Sequence, residues 1–346
     1  AYELASCLVG SEMCIRDRPD SPDCGTFGKP AREWLNELAA SGIGVWQFLP
    51  LAPTDSFGSP YSSPSSFALN PWFLDQNDLV RDGFLVNNLE DFSSANDCFK
   101  NRVDFHLANS KVKSLRFSLV DDWYKQNRTI QEEFEIWCSK QFWLDDHSIF
   151  MELKIQNNDL PWWEWPDEYA GRDKKELENW KKNNQKELLG HKLLQWHLDR
   201  QWQSIRELAK NLGIYLFGDV PFYVSKDSAD VWGNRSLFSI LTNSDTFLQS
   251  GVPPDYFSET GQLWGNPVYR WSRHKASRYR WWRKRISRHL EQVDFLRLDH
   301  FRALEAFWAI PGKDKTAENG LWLPSPGKQI LSLIKKDCCG SLPLIA

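Results

Sequence analysis

Apolar residues recur along this chain in two rhythms. In residues 30–40 (PAREWLNELAA), Trp34, Leu35 and Leu38 fall on one helical face behind a first-turn proline, and Gly42 and Gly44 end the helix. Residues 45–49 (VWQFL) are an unbroken apolar run stopped by Pro50, which predicts a short buried strand, and a Gly/Pro/Ser-rich loop, 52–70, follows. Helix, short loop, apolar strand and polar loop in that order make a parallel α/β unit, with the loop at the strand's C-terminal end. The same order returns further on. A helix over 203–211 is closed by Gly213, and a strand over 214–217 ends in Gly218-Asp219-Val220-Pro221. A basic helix over 278–290, with Trp281, Trp282 and Ile286 turned inward and its charges on a solvated outer face, precedes a strand over 295–300. A last helix over 329–336 leads to the apolar segment 342–346, which reads as another strand.

Three stretches break this order. Residues 79–205 are polar and Trp-rich with a helical period, divided by the break PWWEWP at 161–166, and are expected to be a mostly helical insertion lying over the strand ends. Residues 251–271 (GVPPDYFSETGQLWGNPVYRW) read as a long loop. Residues 1–18 have neither a signal-peptide plan nor a sustained period and are expected to be foreign to the fold. The resulting division is 1–18, then a first part of an α/β core over 19–78, the helical insertion over 79–205, and the continuation of the core over 206–346.

Composition narrows the function. Of 346 residues 41% are hydrophobic and 25% charged, as in ordinary globular proteins, so disordered and fibrous classes are excluded. The net charge of −4 gives no reason to expect a nucleic-acid or anionic-membrane partner, and no apolar run approaches a membrane span. The seven cysteines are odd in number, scattered, and without zinc spacing, which predicts reduced thiols in a cytosolic-type compartment and no metal site. No phosphate-cradling glycine loop or other cofactor signature is present, so no cofactor is expected. The unusual number is 19 Trp, which implies either a very aromatic core or a ligand with flat, weakly polar faces.

In a parallel barrel the C-terminal ends of strands converge on one face, where active sites are built. Three strands end in polar residues here: the Ser59-Pro60-Tyr61 loop, Asp219, and Arg297-x-Asp299-His300. Asp219 alone is equally readable as a helix N-cap. Arg297 and Asp299, two apart on a strand, point the same way, so the guanidinium can hold the carboxylate ionised and aimed as a nucleophile. Carboxylates and Arg beside aromatic platforms, with Trp264 and Tyr61 as candidates, suit a carbohydrate whose ring faces lie on the aromatics. For most of the 19 Trp, core packing remains the competing reading.

Long segments carry a family resemblance. GDVPFYVSKDSADVW (218–232), GVPPDYFSETGQLWGNPVYRW (251–271), FLRLDHFRALEAFWAIP (295–311), VWQFLPLAPTDSFGSPYSSPSSFALNP (45–71) and TAENGLWLPSPG (316–327) resemble the signatures of the 4-α-glucanotransferases (amylomaltase, disproportionating enzyme) of glycoside hydrolase family 77 in the α-amylase clan. The resemblance implies a (β/α)8 barrel of α-amylase type with insertions, and a retaining transfer of α-1,4-glucan segments between maltooligosaccharides and glucose. By residue, it implies Asp299 as the nucleophile and Arg297 as the arginine that orients it. Asp219 would sit at the donor sugar and His300 would bind a sugar hydroxyl. Tyr61, reached through Ser59, would stack at the donor subsite. Gln262, Trp264 and Asn266 would line subsites, and Pro254 and Asp255 lie in a loop, 251–257, that arches over the glucan. Phe57-Gly58 departs from the family's Tyr-Gly and alters an acceptor-side contact.

In the family a strand ending Leu-Ile-Ala is followed by Glu-Asp-Leu-Gly, whose Glu is the general acid/base. The sequence stops at Ala346 and lacks the usual opening motif, so a fragment is expected, with an incomplete barrel and no activity of its own. The location implied is cytoplasmic, or plastidial for a plant or algal source. Two rivals remain: an α-amylase-like hydrolase and a non-catalytic glucan-binding protein.

Overall fold

In the computed structural model residues 24–86 and 103–346 are described, so the segment 1–18 lies outside them. Helix α1 (Lys29–Ala40) carries Pro30 in its first turn and buries Ala31, Leu35 and Leu38. Gly42, at φ 72°, takes the left-handed conformation that closes the helix and lets Ile43 N–H reach Leu38 O, turning the chain into strand β1 (Val45–Gln47). A short helix α2 (Gln76–Arg81), with Asp75 accepting from Asp78 N–H at its N-terminus, ends the first unit.

The helical period read beyond residue 79 is realised by α3 (Phe105–Trp123), α4 (Arg128–Lys140), α5 (Leu144–Gln156), α6 (Asp167–Ala170), α7 (Lys174–Asn183) and the 27-residue α8 (Gln185–Asn211). The helix read at 203–211 is only the end of α8, which runs through residue 205, where the sequence pattern changes character. This helix packs on α1, α3, α4 and α5 and leads into strand β2 (Tyr215–Val220), so one rigid rod joins the helical segment to the sheet. The Pro/Trp break becomes a 3-10 turn, Trp162–Glu164, whose Trp162 is fully buried.

Short α9 (Ala229–Gly233) is followed by strands β3 (Leu248–Val252) and β4 (Gln262–Pro267), helices α10 (Trp271–Ala276) and α11 (Arg280–Leu290), and strand β5 (Phe295–Leu298). Strands β6 (Ala306–Pro311) and β7 (Leu321–Pro324), helix α12 (Gly327–Asp337) and strand β8 (Leu344–Ile345) complete the chain. Four strands form a parallel sheet in the order β1-β2-β5-β8, and the other four an antiparallel sheet in the order β4-β3-β6-β7. The parallel sheet is open; no closed barrel forms among the described residues. No described helix is long and apolar enough to cross a membrane.

The antiparallel sheet corrects the reading of 251–271 as a loop. β3 and β4 form a hairpin; the buried positions of β3 are Gln249, Ser250 and Gly251, and β4 is mostly exposed, so the apolar run that marks a buried strand is missing. Gly251 belongs there for lack of room: a Cβ would lie 2.2 Å from the Gln262 carbonyl oxygen. A second correction concerns α11. Trp281, Trp282 and Ile286 are buried as the period predicts, but so are Arg285 and Arg288, so the basic run is not simply a solvated face. Among the described cysteines, Cys138, Cys338 and Cys339 are free thiols.

Buried histidines set an acid limit on this fold. Burial pushes His147 and His289 down to about 3 and His274 to about 4, and Arg285 and Arg288 add to the effect on His289. In the unfolded chain each titrates near 6.5, so below that pH the unfolded state gains protons that the fold refuses. Stability is complete above about pH 6.5 and lost towards pH 4, at up to about 1.4 kcal/mol per pH unit for each histidine. The carboxyls of Asp219 and Asp230, raised by burial, oppose this but are fewer. Urea midpoints at pH 7 and pH 5 test the balance: a marked fall is expected, and equal midpoints contradict it.

Candidate active site

Register builds the centre of the site. In the parallel pair β2–β5, Asp219 is the partner of Arg297, so their side chains leave the sheet side by side at its C-terminal edge. Asp299 lies two residues on, just past the end of β5, and its N–H still bonds to Val220 O. The strand read as 295–300 thus stops at Leu298. His300 adopts a left-handed conformation, φ 55°, that turns the chain away and starts a 3-10 turn.

The guanidinium of Arg297 divides itself between the two carboxylates. Nη1 donates to Asp219 Oδ2 at 2.8 Å and Nη2 to Asp299 Oδ1 at 2.6 Å. The Asp219 side chain is 2% exposed, whereas Arg297 and Asp299 are 38% and 41% exposed, so a buried carboxylate lies beneath an open one with one cation between them. Tyr61 completes the cluster from the opposite loop, its hydroxyl donating to Asp219 Oδ2 at 2.7 Å. Ser59 shapes that approach: its Oγ accepts from Tyr61 N–H, and its own N–H joins that of Phe57 on Asp55 Oδ1.

These contacts tune the charges. Burial raises the Asp219 carboxyl above the usual carboxylate range, and the Tyr61 hydrogen bond and Arg297 hold it back. Burial and then Asp219 push the Tyr61 phenol up, so it stays a donor. Burial works against the Arg297 charge, but Asp219 and Asp299 outweigh it and its pKa rises. Burial lowers His300 against the pull of Asp299, leaving a neutral ring at pH 7. Among the described residues, Asp219 Oδ1 and His300 Nε2 are buried here without a hydrogen-bond partner: one accepts, and the other does either according to tautomer. Such a pair suits a hydroxyl-rich ligand.

Trp264 and Gln262 occupy one face of β4, two residues apart, and the Trp264 indole N–H donates to Gln262 Oε1 at 3.2 Å. The His300 ring meets Trp264 edge-on with centroids 4.8 Å apart, which brings the β4 residues to the carboxylate cluster. Asn266 is half-buried on the same strand. Pro254 and Asp255 are exposed in the β3–β4 connection. The Asp255 carboxylate accepts from Phe257 and Ser258 N–H at 2.9 Å each, so it shapes its own turn, whose tip presents Tyr256 and Phe257 almost fully to solvent. Among the described residues no hydrogen bond joins Asp255 or Asn266 to the carboxylates.

Sequence reasoning missed Tyr223, which walls the site beside His300 with ring centroids 6.3 Å apart and a buried, unpartnered hydroxyl. Its position four residues beyond Asp219, in the loop after a strand, was the available signal.

Comparison with known proteins gives the following. A family model described as 4-alpha-glucanotransferase matches residues 17–346. The 4-alpha-glucanotransferase of Synechocystis sp. is 39% identical over 326 residues, covering 93% of this chain and 64% of that protein. The chloroplastic/amyloplastic 4-alpha-glucanotransferase of Arabidopsis thaliana is 36% identical over 327 residues, covering 93% and 56%. Among solved structures, the amylomaltase from Streptococcus agalactiae in complex with acarbose aligns with a TM-score of 0.89 and 32% identity, covering 96% of this chain and 67% of that one. The chain therefore spans about 64% of the length of the Synechocystis relative and has an α/β, TIM-barrel-like fold.

Proposed function

This chain belongs to the 4-alpha-glucanotransferase family, glycoside hydrolase family 77, and on that premise we propose that the Tyr61–Asp219–Arg297–Asp299 cluster transfers α-1,4-glucan segments between maltooligosaccharides, or to glucose, by a retaining double displacement. Asp299 attacks the anomeric carbon from the face opposite the leaving sugar. The C1–O4 bond breaks, its electron pair stays on the leaving oxygen, and a general acid protonates that oxygen. The product is a glycosyl ester on Asp299. In the second step the 4-hydroxyl of an acceptor sugar attacks C1, its proton passes to the same group acting as base, and the Asp299 carboxylate is released. Two inversions give retention.

Arg297 holds Asp299 aimed through its 2.6 Å hydrogen bond. Asp219 Oδ1 accepts from donor-sugar hydroxyls, and the neutral His300 takes another. Tyr61 and Trp264 offer ring faces, and Gln262 and Asn266 line the adjoining positions. The 251–257 segment, with Pro254 and Asp255, covers the acceptor side and keeps water from competing with the sugar hydroxyl. Asp219 does not suit the acid role, because its Oδ2 already accepts from Tyr61 and Arg297. The acid/base is assigned to no described carboxylate of the site.

The observation that carries this reading is the Arg297 bridge, beside which Asp299 Oδ2 has no hydrogen bond among the described residues and a buried acceptor, Asp219 Oδ1, lies close by. It is tested with a fluorosugar fluoride, whose leaving group departs without protonation and needs no acid. A single glycosyl adduct on the peptide containing Asp299, located by mass spectrometry, is the expected result. Labelling of another residue, or none, rejects the reading.

A further inference from the structure

Helix α11 places two buried guanidinium groups three residues apart on one face. Arg285 is 0% exposed and, among the described residues, hydrogen-bonds to no carboxylate, though its charge is felt by the buried Asp230. Its Nη2 donates to Pro221 O at 2.7 Å and its Nη1 to Phe222 O at 2.9 Å and to the Tyr269 hydroxyl at 3.3 Å, and Tyr269 itself donates to Phe222 O at 2.7 Å. The carbonyls it holds lie two and three residues beyond Asp219. Arg288, 4% exposed, sends Nε to Phe67 O at 3.3 Å, six residues beyond Tyr61, and its two other nitrogens to Asp199 and Glu291. A third tie joins the same two loops directly: Asp230 accepts from Ser66 N–H at 2.8 Å and from Ser66 Oγ at 3.2 Å. The two loops held in this way are those whose tips meet in the 2.7 Å bond between Tyr61 and Asp219.

A buried guanidinium whose hydrogen bonds go only to carbonyls and a hydroxyl, with the buried Asp230 carboxylate near but not bonded to it, is a costly way to stabilise a core, since apolar side chains fill such space at lower cost. What the arrangement supplies is direction. A planar guanidinium fixes two successive carbonyls at once, which a lysine's point charge cannot do. We propose that Arg285, with Arg288 as its companion, is a positioning residue for glycosyl transfer, holding the Asp219 loop against the Tyr61 loop so that Tyr61 and Arg297 meet on one Asp219 oxygen. The inference rests on the reading of that cluster as the reaction centre.

The test places 3-fluorotyrosine at position 61 and follows its 19F resonance, with Asp219→Asn as the reference for a weakened bond. Arg285→Met is expected to move the resonance in the same direction as Asp219→Asn and to slow fluoride release from α-maltosyl fluoride roughly 10–100-fold. Arg285→Lys, which keeps the charge and is the milder change, is expected to move it less and to recover part of the rate. A role confined to stability would lower the melting temperature and leave the resonance in place. An unmoved resonance in folded Arg285→Met overturns the proposal. Should that variant not fold, an unmoved resonance in Arg285→Lys does so. No fluoride release from the unaltered chain counts against the glucanotransferase reading, whereas an unmoved resonance beside normal fluoride release counts against Arg285 alone.

Discussion

Asp299→Asn is expected to abolish labelling by a fluorosugar fluoride and to slow fluoride release from α-maltosyl fluoride by roughly 10⁴-fold or more. The substitution is nearly isosteric and leaves an amide oxygen to accept from Arg297 Nη2, so the site keeps its shape and loses only its nucleophile. The fold should survive: the side chain is 41% exposed, and removing its charge relieves repulsion on buried Asp219, whose pKa then falls. A melting temperature equal to or above that of the unaltered chain is therefore expected beside near-complete loss of activity. Asp299→Ala adds a stereochemical check. It opens space for azide, which would attack C1 once from the nucleophile's side and convert the α-fluoride into a β-glycosyl azide, one inversion instead of two. A residual rate within tenfold of the unaltered chain, or an α-azide, would place the nucleophile elsewhere.

How far the sequence discloses this site depends on which interactions are local. β1, β2 and β5 are legible because a buried parallel strand is a short apolar run ended by Gly, Pro or Asp, and nothing else in a helix-rich chain looks like it. Arg297 and Asp299 are legible as a pair because two residues apart on a strand means one face. The contact of Arg297 with Asp219 is not: 78 residues separate them, and only the β2–β5 register sets them side by side. The β3–β4 hairpin of the antiparallel sheet stays hidden because β3 buries polar Gln249 and Ser250, β4 is mostly exposed, and the two contain Gly251, Gly265 and Pro267, the residues that elsewhere mark loops. Asp255 reads as a ligand to sugar by its motif, yet its carboxylate closes its own turn, a use the side chain's chemistry allows equally. Arg285 and Arg288 are hidden for the opposite reason. They sit in a run of basic residues that looks solvated, and nothing in residue identity tells which guanidinium meets backbone carbonyls.

Arg297→Met tests whether the bridge matters as electrostatics or only as packing. Without the guanidinium, Asp219 keeps one donor, Tyr61, and Asp299 loses its 2.6 Å contact. The Asp219 carboxyl pKa should rise, because the opposite charge that favoured its ionisation is gone. The acid limb of the rate–pH profile should then move to higher pH, and the rate on α-maltosyl fluoride at neutral pH should fall roughly 10²–10³-fold. Arg297→Lys keeps a charge but not the fork that reaches two carboxylates, so it should recover the pH profile better than the rate. Stability should fall by only about 1–3 kcal/mol, since the Arg297 side chain is 38% exposed while that of Asp219 is 2% exposed. Adding Asp219→Asn separates the two effects. It removes the buried charge left unpaired and should restore most of the lost stability, while activity should stay low because Asp299 is still unbraced. If Arg297→Met keeps its rate within threefold and its acid limb in place, the guanidinium is a bystander and the orientation of the nucleophile must come from another group.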